Sequence, residues 1–431
     1  MKGLPNHIAT ASLCIVMLLS CDTKDSFSPP EESYFLKYFG DDGNHDGVDF
    51  VVNSDGSFVL LGNSRKASGS RQIYVAKADS NGKLIWERTF GGILDEEARD
   101  IELLADGNLI ILANSEVSPA PNRNRDVLLL RINQDGVKLD SVRQGLFSLL
   151  PNVPGPNDED AKSITVINNG FVVAGGTTKP GDNSDFMYMR FRSNLSFVKD
   201  TDPETWNSKP ITGFAGEDVA VKLIQFNLTT FYLFGYTNAD PTNTASISNF
   251  NFFAVTLSNL GVVSSGQLFI VSNANEKLTS VSLSPAQSGL GYLLSGTSQN
   301  ATDGDVFLVK LGNQLAFNQT DILFTTIINL KAGKPNSQST SNSSSLSRGY
   351  FVTTEQLNGN STEIVLTKRD NGGNEFFTRT FLGIGNDFSG SVTELPTGQI
   401  IMIGTMTSGG VVDGQKKIVL MKLNPQGLLA P

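Results

Sequence analysis

Cysteine, histidine and tryptophan are scarce in this chain of 431 residues, which has two of each. Both cysteines, Cys14 and Cys21, and one histidine, His7, lie within the first 21 residues. The remaining chain therefore has no thiol and a single histidine, His45. This excludes a disulfide framework, a cysteine zinc site and a histidine-rich metal site. We expect His45 to be a solvated loop residue.

Basic residues are also few. Lys and Arg number 33 against 43 Asp and Glu, giving a formal charge of −10, so the chain is not suited to neutralising nucleic-acid phosphates. Only 18% of residues are charged, whereas glycine alone contributes 42 residues, which is typical of short strands joined by tight turns. Walker loops, Gly-x-Ser-x-Gly elbows and clustered metal ligands are absent from the sequence, and no cofactor is predicted.

Near the N-terminus, residues 8–19 form an uncharged and mainly apolar run of twelve residues. This run is too short for a transmembrane helix, which needs about 20 residues, and it fits the hydrophobic region of a signal peptide. The run ends in Leu18-Leu19-Ser20-Cys21, which resembles the lipobox of bacterial lipoproteins, where the cysteine is acylated after cleavage. The alternative is an ordinary secretory peptide in which Cys21 has no role.

The lipoprotein resemblance implies a division of the chain. We expect a signal peptide over residues 1–20, a lipidated Cys21 opening a flexible tether over residues 21–32, and a folded body over residues 33–431. Lys24-Asp25 resembles the export signals of Bacteroidetes surface lipoproteins. The predicted location is therefore the outer membrane, with the protein lipid-anchored and exposed at the cell surface.

The body repeats one pattern seven times, with a period of about 50 to 65 residues. One segment of each repeat is an apolar run ending in most copies in Lys or Arg, as in residues 126–131 and 305–310. A preceding segment ends in a small residue with a polar neighbour, as in Gly62-Asn63. Asp-Gly and Asn-Gly pairs, such as Asp55-Gly56, predict two-residue hairpins in which both residues have positive φ. Each repeat thus predicts a meander of four antiparallel strands.

The ends of the body complement each other. The seventh repeat stops after three strands, and residues 33–40 resemble the missing fourth strand; residues 37–40 resemble residues 88–91. Strands that are apolar on both faces need cover on both faces, as in blades that stack around an axis. We therefore predict an all-β, seven-bladed β-propeller of four-stranded antiparallel blades, closed by the N-terminal strand pairing into the last blade. The pattern resembles uncharacterised β-propeller lipoproteins of Bacteroidetes with delta-60-like repeats, which implies a location and a fold.

Acidic residues recur where one predicted blade passes into the next, and these loops open beside the central channel. The residues are Asp41, Asp42, Asp46, Asp95, Glu96, Glu97, Asp158, Glu159, Asp160, Glu217, Asp218, Glu276 and Asp387. One hypothesis is an acidic mouth that binds a basic partner or, weakly, a divalent cation. The alternative is that these side chains accept backbone N–H groups at the strand entries.

Two of the loops between predicted blades have a local feature of their own. Residues 42–47 match the start of an EF-hand loop, although Asn53 stands where the closing Glu would be. The Ser- and Asn-rich stretch over residues 336–347 predicts a neutral, flexible gap in the sixth repeat.

The function predicted from these features is a lipid-anchored extracytoplasmic binding or scaffolding module that presents its acidic, loop-rich face to a protein or glycan. The alternative is a surface glycan-active enzyme that uses carboxylates from several blades. Such an enzyme requires two carboxyl groups about 5 to 9.5 Å apart.

Overall fold

The computed structural model of the protein describes residues 34–65, 69–118, 124–146, 156–199, 216–240, 243–271, 274–283, 291–299, 304–312, 314–316, 321–328, 341–345, 349–408 and 414–430. Cys21 and the predicted tether lie outside these residues. Residues 33–431 belong to one compact unit. No helix in the described part of the chain is long and apolar enough to cross a membrane.

The chain begins with strand β1 (Phe35–Phe39), and each sheet is described below by strands A to D from the innermost outward. The A strands are β2 (Asn44–Val52), β6 (Glu96–Leu103), β10 (Asp158–Ile167), β13 (Asp218–Gln225), β17 (Asn275–Leu283), β21 (Ser341–Ser345) and β25 (Phe388–Glu394). The B strands are β3 (Phe58–Arg65), β7 (Leu109–Ser118), β11 (Gly170–Thr178), β14 (Thr230–Asp240), β18 (Tyr292–Gln299), β22 (Gly349–Asn358) and β26 (Ile400–Ser408).

The two outer positions complete the blades. The C strands are β4 (Arg71–Ala78), β8 (Asn124–Ile132), β12 (Ser184–Arg192), β15 (Asn243–Ser258), β19 (Gly304–Leu311), β23 (Ser361–Arg369) and β27 (Gln415–Leu423). The D strands are β5 (Leu84–Phe90), β9 (Lys138–Gln144), β16 (Val263–Phe269), β20 (Ile322–Ile328), β24 (Glu375–Phe381) and β1. In the third blade, Phe197 makes an isolated bridge to Phe191 of β12, and residues 200–215 lie outside the described part.

These strands form seven antiparallel sheets, and each A strand contacts the A strand of the next sheet around a closed ring. The last sheet has the order β1-β27-β26-β25, so the N-terminal strand supplies its outermost position. Phe35 pairs with Lys422, and Phe39 pairs with Ile418. The predicted seven-bladed propeller and its closure by the N-terminal strand are therefore confirmed. The free edges that an open array would expose are removed.

The hydrophobic core is divided into seven layers, one between each pair of adjacent blades. The layer between the last and first blades contains Phe39, Tyr74 and Ile418, all at most 4% exposed. Strands such as β8 pack on both faces because Leu129 faces the third blade and Leu130 faces the first. This arrangement explains why the C strands are apolar throughout, since each sheet is covered on both sides.

In six of the seven blades, a bulge in the facing A strand explains the small residue near the end of the B strand. The register of β2 against β3 shifts between Gly47 and Asp49. A Cβ added at Gly62, opposite this bulge, would lie 2.4 Å from the carbonyl oxygen of Asp46. Gly235 of the fourth blade stands equally close to the carbonyl oxygen of Val219. Glycine is therefore required at these positions by lack of space.

The polar residue after this small residue joins adjacent blades. The Asn63 side-chain oxygen accepts a hydrogen bond from the Ala98 N–H of the second blade at 2.8 Å. Thr405 of the last blade accepts one from the Gly47 N–H of the first blade at 2.9 Å. The recurring small-polar pair of the sequence is thus an inter-blade contact, and one of its copies lies across the closure of the ring.

Two local predictions fail, one of them only in part, since Asn169 and Gly170 both have positive φ, 65° and 153°. At Asp55-Gly56 only the glycine has positive φ, 79°, because Asn53 and Ser57 enclose a three-residue loop in which Gly56 takes the left-handed position. In the sixth blade, Ser341–Ser345 form the A strand and pair with β22, so part of the predicted neutral gap is a strand. The backbone hydrogen bonds of β22 stabilise this strand despite its polar sequence.

Candidate functional site

Loops and turns separate onto two faces of the ring. The A–B and C–D turns lie on one face, called here the turn face, and lysines of the C strands there contact the C–D turns of the next blade. Lys77 Nζ donates to Gln134 Oε1 at 2.9 Å, and Lys422 Nζ donates to the Ser80 carbonyl at 3.2 Å. The D–A and B–C loops lie on the opposite face, called the loop face. The acidic residues predicted from the sequence lie on the loop face, and all except Asp41 and Asp42 occupy three successive positions where the A strands begin.

The first of these positions joins neighbouring blades through the backbone. Asp95 accepts the N–H of Arg71 at 2.8 Å, and Asp158 accepts the N–H of Arg125 at 2.9 Å. Three other blades make the same contact with asparagine, through Asn44, Asn275 and Asn386. Because a neutral amide serves equally well, the charge of Asp95 and Asp158 is not needed for this role. Glu217 occupies the same position in the fourth blade.

The second position is buried in every blade where it is described. Its residues are His45, Glu96, Glu159, Asp218, Glu276 and Asp387. Glu96 Oε2 accepts the Gly92 N–H at 3.1 Å, and Asp387 Oδ1 accepts the Thr407 N–H at 3.1 Å. Burial is the main cause that raises the pKa of both carboxyl groups. These side chains hold the loops from beneath and are not available to a ligand at the channel mouth.

Glu159 shows this burial most strongly. Its side chain is fully buried, and its Oε1 accepts a hydrogen bond from the Thr177 hydroxyl at 3.3 Å. Burial, with the nearby charge of Asp126, raises the pKa of Glu159 to about 9. Burial likewise raises the pKa of Asp218 to about 7. Both side chains therefore favour the protonated form relative to ordinary carboxyl groups.

His45 takes the second position in the first blade, so the prediction of a solvated loop histidine is wrong. It is fully buried, with its ring 5.0 Å from that of Tyr74 and its Nε2 3.1 Å from Asp41 Oδ1. Burial, followed by the charge of Lys417, lowers its pKa. Residues 42–47, which match the start of an EF-hand loop in sequence, do not form such a loop, because Asn44 already begins a β-strand. Asp42 is exposed in the loop before it.

The third position faces the mouth, through Asp46, Glu97 and Asp160. Glu97 contacts Arg71 at 3.0 Å and Arg99 at 3.0 Å. The same Arg99 nitrogen lies 2.9 Å from Asp160, so one guanidinium bridges two blades.

Further cations surround Asp160, with Lys162 Nζ at 2.7 Å and Arg125 at 3.5 Å. Burial acts to raise the pKa of Asp160, but the charges of Lys162, Arg99 and Arg125 outweigh it and lower the pKa to about 2. The mouth in the second and third blades is thus a network of paired charges. Within the described ranges, no group of three or more His, Cys, Asp or Glu residues is placed to hold a metal ion.

The fourth and fifth blades add an aromatic platform to the loop face. It consists of Tyr236, Phe250 and Lys277, with the two ring centroids 5.7 Å apart. Lys277 Nζ lies 4.0 Å from the Phe250 centroid and 5.5 Å from that of Tyr236, and Glu217 Oε1 lies 3.7 Å from it. Burial and the charges of Glu217 and Asp160 raise the pKa of Tyr236, which places the platform within electrostatic reach of the paired network.

Sequence reasoning missed this platform, which we call the aromatic–lysine platform. Tyr236 occupies the position directly after Gly235. At this position most of the other blades have Asn, Thr or another small or polar residue, and the tyrosine was the only local signal in the sequence.

A second charged cluster lies deeper in the channel and was also not predicted. Lys222 Nζ lies 3.2 Å from Asp100 Oδ2 and 3.8 Å from Glu102 Oε1. Asp100 Oδ2 also accepts the Ile164 N–H at 2.9 Å, which ties the second blade to the third. Burial, with the charge of Asp100, raises the pKa of Glu102 to about 7. This is a protonatable carboxyl beside a second carboxyl group, both in contact with one lysine.

Comparison with known proteins supports the fold and assigns the chain to no family. No family model matches the sequence, and neither does any curated protein. Among solved structures, an ulvan lyase described as a new family of polysaccharide lyase, PL25, is similar with a TM-score of 0.55 at 10% identity, covering 91% of this chain and 96% of that one. The same lyase bound to -[GlcA(1-4)Rha3S]- has a TM-score of 0.53 at 11% identity, with the same coverage. At these identities the likeness shows a shared fold.

Proposed function

We propose that this protein is a lipid-anchored extracytoplasmic propeller that binds an acidic polysaccharide at the channel mouth of its loop face. The observation that carries the proposal is the aromatic–lysine platform. Sugar rings present apolar C–H faces that pack on aromatic side chains, and an ammonium group that lies over such rings, as Lys277 Nζ does, binds a carboxylate or sulfate. Arg99 and Lys162 lie in the adjoining network, where they are paired with Glu97 and Asp160.

The structural neighbours support this ligand class. One of the two lyase structures holds a saccharide that contains glucuronate and a sulfated rhamnose, and it covers nearly the whole propeller. A saccharide of this kind carries negative charge at regular intervals, which suits a mouth that places Lys277 beside two aromatic rings. The predicted surface location is consistent with a ligand outside the cell.

The lipid anchor rests on the sequence. The uncharged run over residues 8–19, the lipobox-like end at Cys21 and the polar segment that follows together support acylation of Cys21. Two or three acyl chains hold a protein stably in a bilayer, whereas one chain gives marginal binding.

Substitution of Lys277 tests the binding proposal. In calorimetric titrations with polyglucuronate, we expect Lys277→Ala to bind at least about tenfold more weakly, since a hydrogen bond to a charged group contributes about 1.5 to 3 kcal/mol. Lys277→Arg keeps the charge and is expected to retain most of the affinity. Lys83→Ala, at an exposed lysine of the turn face, is the matched control and should bind like the unaltered protein. Equal affinities for Lys277→Ala and Lys83→Ala would disprove the role of the platform.

The enzyme alternative is favoured by one observation, the raised pKa of Glu102 beside Asp100. A glycoside hydrolase needs a protonated carboxyl group next to an ionised one. Both of these groups contact Lys222, however, and the carboxylates at the mouth itself, Glu97 and Asp160, are paired with arginine. We therefore expect binding without cleavage. Release of new reducing ends that is abolished by Glu102→Gln would favour the enzyme.

A further inference from the structure

We infer that the turn face lies against the membrane that holds the lipid anchor, so that the loop face points away from it. This inference rests on the proposed acylation of Cys21 and adds an orientation to it. Three features of the turn face carry it: exposed apolar tips, arginines at the base of those tips, and the point where the chain enters the fold.

Four exposed apolar side chains lie in the turns of the fourth blade. Leu228 in its A–B turn is 77% exposed, and the neighbouring Phe226 is 39% exposed. Leu260 and Val262 in its C–D turn are 42% and 47% exposed. Aliphatic and aromatic side chains on protruding turns gain free energy by entering the interfacial region of a bilayer.

Two arginines lie near these tips, and one of them, Arg190, shares a cavity with them. A cavity of about 470 Å³ between the third and fourth blades is lined by Arg190, Leu228 and Leu260. Arg190 also lines an adjoining cavity with Arg192. Long basic side chains at the base of an apolar patch reach the phosphate groups of lipids while the tips enter the bilayer. The pairing of apolar tips with arginine therefore fits a phospholipid surface.

The chain enters the fold on this same face. Phe35 opens β1 and pairs with Lys422, near the end of β27 that leads into the last C–D turn. That turn presents Leu428 and Leu429, each 42% exposed. The fourteen residues from Cys21 to Tyr34 span at most about 50 Å when extended, so the anchor limits how far the turn face can move from the bilayer.

The entry point and the apolar tips lie on opposite sides of the ring, in the seventh and fourth blades. Contacts on opposite sides hold the turn face parallel to the membrane, whereas the tether alone would leave the propeller free to rotate. The aromatic–lysine platform would then face outward, toward a soluble polysaccharide.

Site-specific fluorescence tests this orientation. Acylation occupies Cys21 and the body has no other thiol, so Leu228→Cys in the full-length lipidated protein provides a single labelling site for an environment-sensitive NBD probe. Vesicles of phosphatidylethanolamine and phosphatidylglycerol would hold the protein. Ile93→Cys is the matched control, since Ile93 is 94% exposed on the loop face. We expect the Leu228 probe to brighten several-fold, to shift to the blue and to be quenched by nitroxide-labelled lipid, with no change for the Ile93 probe.

Other outcomes would overturn the inference. Both probes remaining in water while the protein floats with the vesicles would show that the anchor holds but the turn face is free. A blue shift of the Leu228 probe that depends on protein concentration in detergent without vesicles would assign this face to a second copy of the chain. Failure to float would disprove the lipid anchor instead, and polyglucuronate binding measured on the same samples reports the mouth separately.

Discussion

Replacing Phe39 by alanine lowers the free energy of unfolding by about 3 to 5 kcal/mol, the usual cost of removing a buried phenylalanine ring. Phe39 is 4% exposed and lies in β1, where it pairs with Ile418 and packs in the layer between the last and first blades. The loss falls on the one blade whose strands come from both ends of the chain. Urea unfolding followed by circular dichroism measures it.

The neighbouring residue provides the control. Tyr38 lies on the same strand and pairs with Val419, but its side chain is 49% exposed. Tyr38→Ala is expected to cost less than about 1 kcal/mol, as is usual for exposed positions. Equal losses for Phe39→Ala and Tyr38→Ala would contradict the packing of β1 into the last blade.

The stability of the propeller decreases as the pH rises from about 5 to 9.5, and Glu159→Gln removes part of this decrease. The folded state raises the pKa of Glu159 from 4.5 to about 9, so the folded protein binds this proton more tightly than the unfolded chain. Its contribution is fully present below pH 4.5 and is lost as the pH rises through 9. The expected difference is a few kcal/mol, since one unit of pKa corresponds to about 1.4 kcal/mol.

Glu375→Gln is the matched control for this measurement. The Glu375 side chain is 48% exposed, so the change removes one carboxylate at the surface. Unfolding free energies at pH 5, 7 and 9.5 should give the same slope for Glu375→Gln and the unaltered protein, and a shallower slope for Glu159→Gln. An unchanged slope for Glu159→Gln would show that this carboxyl is ionised in the folded state.

The sequence predicts the architecture well because every blade of a propeller must meet the same physical requirements. Strands covered on both faces must be apolar on both faces, and the missing last strand must be supplied by the other end of the chain. These requirements are local in sequence, apart from the closure, and the resemblance of residues 37–40 to residues 88–91 revealed the closure as well.

The roles of the acidic residues could not be predicted in the same way. Asp95, Glu96 and Glu97 are consecutive, yet they join blades, support a loop from beneath and face the mouth, respectively. The direction of each side chain is set by the bulge and by the neighbouring blade, neither of which is visible in composition. His45 was misjudged for the same reason, since its strand position decides its burial.

The aromatic–lysine platform lay beyond prediction because its residues come from three strands. Tyr236, Phe250 and Lys277 belong to the B and C strands of the fourth blade and the A strand of the fifth. No fixed spacing links them, and their proximity depends on how two blades pack together.

Hydrogen–deuterium exchange with and without polyglucuronate tests the central claim most directly, because it locates the ligand without any substitution. We predict slower exchange in peptides that cover the loop-face ends of Thr230–Asp240, Asn275–Leu283 and Asp158–Ile167, and unchanged exchange in the turns of the opposite face. Protection confined to the turn face, or none at saturating polysaccharide, would contradict a glycan site at the channel mouth.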